Sequence, residues 1–369
     1  MGKPGSQSDP VMADGDQGAD FVELFFDLVF VFAITRVTHL TAKHIDIPHV
    51  FQSLVVFWLI WWAWTQFTWT LNTANTGHHI VRLVTLIATA VVFVMATAID
   101  QAFNAGVMWF VLPYLAVRAL GFGLFLRVTP VEGGHRAAVA GFIILSFSGI
   151  VTVLAGALSD PSFRAWWWLG AIMLDMIAGY IGGRAEGWRM EPGHFTERHG
   201  LIVIIALGES LLVAASAASG NPLSQEMMIP CLMTVTITCL LCWSYFAWIR
   251  EHMEGRLERL QGEQRARLGR DAYSFLHFPL ICGIIGISIA FEKILGHPHD
   301  PLSMQTALAL GGGYALFIGS TAASVWVSSR TLLAPRIIIM ISAVAILAMI
   351  GRSPNLALGF IVVGLAVVN

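Results

Sequence analysis

An all-α, polytopic transmembrane helical bundle of about 12 spans is predicted from three features of the sequence. Hydrophobic residues make up 56% of the chain and charged residues 12%, where an ordinary soluble protein carries about 25% charged. Apolar runs of about 20 residues, enough to cross a ~30 Å hydrocarbon core as a helix, recur along the whole chain. Between them, arginine-rich connections alternate with arginine-poor ones, as they do when loops fall on opposite sides of a membrane. A net charge of −2 gives no basis for nucleic acid as a partner and leaves membrane lipids as the surroundings.

Residues 1–20 are polar, carry Asp9, Asp14, Asp16 and Asp20, and lack the basic start of a signal peptide, so they read as a disordered cytoplasmic tail. The first span, 21–40, is FVELFFDLVFVFAITRVTHL; Glu23 and Asp27, four apart, share one face of it. Then come 50–71, 80–103, 106–127, 136–158 and 163–183, the last opened on its outer side by Trp166, Trp167 and Trp168, which read as interfacial belt residues. These six spans form a first half, 21–183, joined by a linker at 184–195 to a second half, 196–369. That half holds 196–219, 226–250, 272–295, 302–327, 333–351 and a short 355–369. Met253, Leu257, Leu260 and Leu268 recur near a helical period among charged residues, so the eighth span is expected to continue as an amphipathic cytoplasmic helix over 250–270. Gly311, Gly312 and Gly313 lie inside the tenth span and permit either close packing or a helix break.

Connections after even-numbered spans hold fourteen arginines, and those after odd-numbered spans hold only Lys43, Arg164, Lys293 and Arg352. The positive-inside rule then places the N-terminus in the cytoplasm. Phe21, Glu23 and Val29 recur at equal spacing as Phe195, Glu197 and Val203, and Ala98-Ile99-Asp100 parallels Ala290-Phe291-Glu292. These matches suggest a parallel 6+6 internal repeat, the arrangement of transporters whose halves are related by an axis along the membrane normal.

The segments VELFFDLVFV from Val22 and ERHGLIVIIALGE from Glu197, with weaker support from Arg82-Leu83 and Ser274–Leu280, resemble the bacterial low temperature requirement A family. The resemblance covers most of the chain; His199 departs from it where an aromatic residue is expected. It implies a multi-pass protein of the bacterial inner membrane linked by name to growth in the cold. It implies no substrate and no mechanism.

The chemistry must therefore come from the residues. An acidic side chain in hydrocarbon costs about 2.5 to 3.5 kcal/mol and usually carries a task. Counting at ~1.5 Å per residue from the cytoplasmic ends, Asp27, Arg118, Asp175, Glu209 and His277 fall in one slab between that surface and the midplane. Glu23 and Arg198 lie at its entrance, and Ser210 beside Glu209 is small enough for close approach. The expected pathway set is thus Glu23, Asp27, Arg118, Asp175, Arg198, Glu209, Ser210 and His277, with Glu209 foremost; the competing reading pairs Glu209 with Arg118 as a satisfied ion pair.

Cys231, Cys239, Cys242 and Cys282 all lie in apolar segments, and with no histidine beside Cys239 and Cys242 no metal site is assigned. No cofactor is assigned, and the signatures of soluble hydrolases, nucleotide-binding loops and zinc peptidases are missing. The leading expectation is a secondary transporter of a small solute or ion, coupled to protons or another ion; a homo-oligomer is compatible with it. The rival is a membrane-embedded enzyme, or a lipid- or cofactor-binding sensor, with a cytoplasm-facing pocket.

Overall fold

The computed structural model describes residues 11–12, 18–129, 136–182, 190–219 and 225–369. Most of the expected tail, 1–20, and residues 184–189 of the expected linker lie outside the described residues. Among the described residues the chain is helical without a β-strand; one isolated bridge joins Met12 to Ala74. The helices are α1 Phe21–Lys43, α2 Ile47–Leu71, α3 His79–Thr97, α4 Met108–Val128, α5 Arg136–Leu158, α6 Pro161–Gly182 and α7 Pro192–Ser219. Then follow α8 Gln225–Ser244, α9 Arg250–Arg259, α10 Gly262–Leu268, α11 His277–Gly296, α12 Met304–Ser329, α13 Ala334–Ser342 and α14 Pro354–Val368.

Each apolar segment of the sequence coincides with a helix. Nine spans among the described residues are long and apolar enough to cross a membrane, with α8 and α9 counted as one and α10 and α11 as another. The nine do not include α1, which is 23 residues long and carries Glu23, Asp27, Arg36 and Lys43. Apolar helical stretches at Ala334–Met349 and Pro354–Val368 are shorter. The protein is therefore a multi-pass, membrane-type helical protein.

The chain forms two compact units, one of residues 1–33 and 59–198, the other of 34–58 and 199–369. α1, α2 and α7 each give one part to each unit. In the first unit the polarity of a soluble protein is reversed along α1. Glu23 and Asp27 are buried at 1% and 0% exposure, while Phe25 and Leu28 face outward at 53% and 54%. Apolar side chains left outside and carboxylates taken inside suit a hydrocarbon surrounding. Phe26 and Phe30 pack against each other, and Phe26 against Phe67 of α2. Of the three tryptophans that open α6, Trp166 and Trp167 are exposed as a belt would be, but Trp168 turns inward and donates from Nε1 to the Val153 carbonyl at 3.0 Å. An indole taken out of water needs that acceptor.

In the second unit α11 and α12 cross at glycines. A Cβ on Gly283 would stand 2.7 Å from the Gly313 carbonyl, and one on Gly313 would stand 2.6 Å from the Gly283 carbonyl, so the backbones approach as only glycine permits. The glycine run in α12 thus serves close packing, and the helix runs through it unbroken. The 250–270 stretch buries Met253 and Leu257 as its pattern requires, but in two helices rather than one. Gly262 adopts φ +53 at the junction, and Arg265 donates from Nε to the freed Leu260 carbonyl at 2.8 Å.

Candidate functional site

Two buried ion-paired clusters form in the first unit and take up Glu23, Asp27, Arg118, Asp175 and Arg198, while Glu209, Ser210 and His277 lie in the second unit with no contact shown among the three. In the first unit, the Glu23–Asp27 face of α1 meets Arg198 from the first turns of α7. Arg198 donates from Nε to Asp27 Oδ2 at 3.1 Å, from Nη2 to Asp27 Oδ1, and from Nη1 to Glu23 Oε1 at 3.2 Å. Trp64 of α2 donates to Asp27 Oδ1 at 2.8 Å, and the Arg198 guanidinium stands over its ring at 6.0 Å. The four-residue spacing of the two carboxylates is what lets one guanidinium reach both.

His194, one turn before Arg198, closes this cluster. The backbone N–H of Glu191 donates to Asn72 Oδ1 at 2.8 Å, which fixes the amide; Asn72 Nδ2 then donates to the Glu191 carbonyl at 3.0 Å and to His194 Nδ1 at 3.1 Å. With Nδ1 accepting, the imidazole proton sits on Nε2 and is donated to Glu23 Oε2 at 2.9 Å. The carboxylates of Glu23 and Asp27 each accept three hydrogen bonds and act purely as acceptors.

The second cluster, also in the first unit, is the pair Arg118 of α4 and Asp175 of α6. Nη1 donates to Asp175 Oδ2 at 3.1 Å and Nη2 to Oδ1 at 3.0 Å, with both side chains 1% exposed. Arg118 Nη1 also donates to the Tyr114 hydroxyl at 2.9 Å, and the Trp62 indole hydrogen-bonds Asp175. The carboxylate partner of Arg118 is therefore Asp175, not Glu209.

The second unit holds Glu209, Ser210 and His277. Glu209 is 4% exposed, yet no salt bridge to it forms among the described residues; the Thr35 hydroxyl hydrogen-bonds it and His39 interacts with it electrostatically, both on α1. His39 Nδ1 in turn lies 3.7 Å from Glu292 Oε2 on α11. Ser210 is turned to its own helix, donating to the Leu207 carbonyl at 2.7 Å. His277 donates from Nδ1 to the Ala272 carbonyl and accepts the Tyr245 hydroxyl at Nε2, both at 2.8 Å. Ala272 and Tyr245 lie on π-helical turns, Gly269–Phe275 and Tyr245–Ile249, a distortion frequent at functional sites. His199 meets Tyr273 and His277 edge-on at ring distances of 5.1 and 5.3 Å, filling the place of an aromatic side chain.

Sequence reasoning missed His194, Asn72, Trp64, Thr35 and Glu292. Thr35 and His39 are four apart, a same-face spacing that was there to be read. The partnership of His39 with Glu292 depends on two distant helices being neighbours, which neither segment signals. No group of three or more histidine, cysteine or acidic residues that could hold a metal forms among the described residues.

The family model described as bacterial low temperature requirement A protein (LtrA) matches residues 18–369. An uncharacterized protein of Rhizobium meliloti (strain 1021) is 27% identical over 328 residues, covering 85% of this chain and 78% of that protein. No solved structure matches the chain.

Proposed function

The chain belongs to the bacterial low temperature requirement A family, and we propose that it is a secondary transporter of the bacterial inner membrane, moving a small solute or ion coupled to protons or another ion. The observation that carries this reading is Glu209, a buried carboxylate in mid-helix with a hydroxyl and a histidine for company where Asp27 and Asp175 each have an arginine. A carboxylate without a fixed cation can take and release a proton or cation at little structural cost, whereas one tied by two guanidinium hydrogen bonds cannot.

Glu209 is accordingly the proton-exchanging group, and His39 and Glu292 continue its line toward the ends of α1 and α11. Glu23, Asp27 and Arg198, and separately Arg118 and Asp175, are charge pairs that rearrange with the conformational step, exposing their carboxylates only when the arginine contacts part. Ser210 leaves room beside Glu209, and His277 is a further proton carrier through Tyr245. In this reading twelve spans cross the membrane, the N-terminus is cytoplasmic and the halves form a parallel repeat.

Uptake into liposomes is the test. Solute accumulation driven by a proton gradient in the wild type and lost in Glu209→Gln supports the reading. Accumulation indifferent to that substitution removes Glu209 from the mechanism.

A further inference from the structure

We propose that the second unit carries an anion site at Arg336 that takes a phosphate group, whether a phospholipid headgroup or a free phosphate. A cavity of about 450 Å³ is lined there by Trp243, Ser244, Trp248, Leu333, Pro335 and Arg336. That volume is in the range of pockets that hold small ligands. Arg336 is 6% exposed. Its Nη1 donates to the Thr321 hydroxyl and its Nη2 to the Ser244 carbonyl, each at 3.2 Å, so two neutral acceptors fix the guanidinium. No carboxylate forms a salt bridge with it among the described residues, in contrast to Arg118 and Arg198. A buried cation held by neutral groups alone retains its whole charge, and an anion is the natural counterpart.

A second observation points the same way. Ser244, whose carbonyl holds the guanidinium and which belongs to the cavity lining, is 2% exposed, and its hydroxyl has no hydrogen-bond partner among the described residues. The guanidinium offers the forked N–H donors that phosphate oxygens accept, and the Ser244 hydroxyl is a spare donor within the same residue that already holds it. The cavity lies where α8 gives way to the π-helical turn Tyr245–Ile249. Trp243 and Trp248 flank it at 62% and 44% exposure, as tryptophans do at headgroup depth. On the charge bias of the loops this is the cytoplasmic side, shared with the arginines of 250–270, where anionic lipids gather.

The inference does not depend on transport, and its test involves none. Native mass spectrometry of the full chain in detergent compares phosphatidylglycerol with phosphatidylcholine, and inorganic phosphate is added to lipid-stripped protein in a separate arm. The wild type is expected to retain phosphatidylglycerol about tenfold better than phosphatidylcholine, or to bind inorganic phosphate, and Arg336→Gln to lose that binding about tenfold. Lipid that excess phosphate does not displace assigns a headgroup; phosphate binding without lipid preference assigns a free anion. Should Arg336→Gln fail to fold, Leu333→Trp fills the cavity without touching the bonds to Thr321 and Ser244, and is expected to abolish binding. Neither lipid preference nor phosphate binding in the wild type, or binding unchanged in a folded variant, overturns the proposal.

Discussion

Arg118 and Asp175 face each other end-on through two hydrogen bonds of 3.0 and 3.1 Å, joining α4 to α6 in surroundings from which both side chains are almost wholly excluded from contact with solvent or lipid. Removing one partner of such a pair strands the other charge, at a cost of about 3 to 5 kcal/mol. Asp175→Asn is expected to lower thermal stability in detergent by that order, and the double change Arg118→Met with Asp175→Leu to recover most of it. A double variant no more stable than the single one would show that the pair contributes specific attraction beyond its own desolvation.

His194 links Glu23 to Asn72 through opposite ring nitrogens. A leucine there keeps bulk but leaves the Asn72 amide and the Glu23 carboxylate each short of one partner. His194→Leu is expected to cost about 1 to 3 kcal/mol, with His194→Gln, which can donate and accept at once, well below that. Chemical denaturation of both variants checks the order; equal losses would mean that packing, not the two hydrogen bonds, is what the imidazole supplies.

The glycine crossing gives a control within one run. Gly313→Ala sets a methyl against the Gly283 carbonyl and is expected to destabilise by about 1 to 3 kcal/mol. Gly312→Ala meets nothing within 4 Å among the described residues and is expected to be neutral or to stabilise by up to about 1 kcal/mol, since alanine is the better helix former. Melting temperatures of the two variants decide it.

Asp160 starts α6 by accepting the Ser162 N–H at 2.9 Å and its hydroxyl at 2.6 Å, and these hydrogen bonds hold its carboxyl below the usual carboxylate range. A depressed carboxyl contributes stability that is complete above its unfolded value and disappears as pH falls through the folded one. Wild type and Asp160→Ala are therefore expected to differ in melting temperature near neutral pH and to converge in acid; a gap that persists in acid would deny the carboxylate its role.

The helices were legible because a span must satisfy its own backbone, so length and apolarity declare it wherever it packs. Boundaries moved where local chemistry intervened. Gly262 broke an amphipathic run that its leucines describe as continuous, and Trp168, expected with its neighbours in a belt, turned inward to where the Val153 carbonyl takes its N–H. For the polar residues, spacing along one helix was readable and partnership between helices was not. Glu23 and Asp27 advertised a shared face, but nothing in either segment says that Arg198 would reach both, or that Arg118 would meet Asp175. Depth in a span orders residues along one axis only, and pairing depends on the other two.

The central claim is that Glu209 exchanges a proton while the protein moves a solute. It is tested most directly by incubating proteoliposomes with an isotope-labelled low-molecular-weight bacterial extract under an imposed proton gradient and identifying the trapped solutes by mass spectrometry. At least one solute is expected to accumulate with the wild type, to stop accumulating when the gradient is collapsed, and to be excluded by a folded Glu209→Gln protein. No accumulation from any fraction of the extract, or accumulation undiminished in Glu209→Gln, would contradict it.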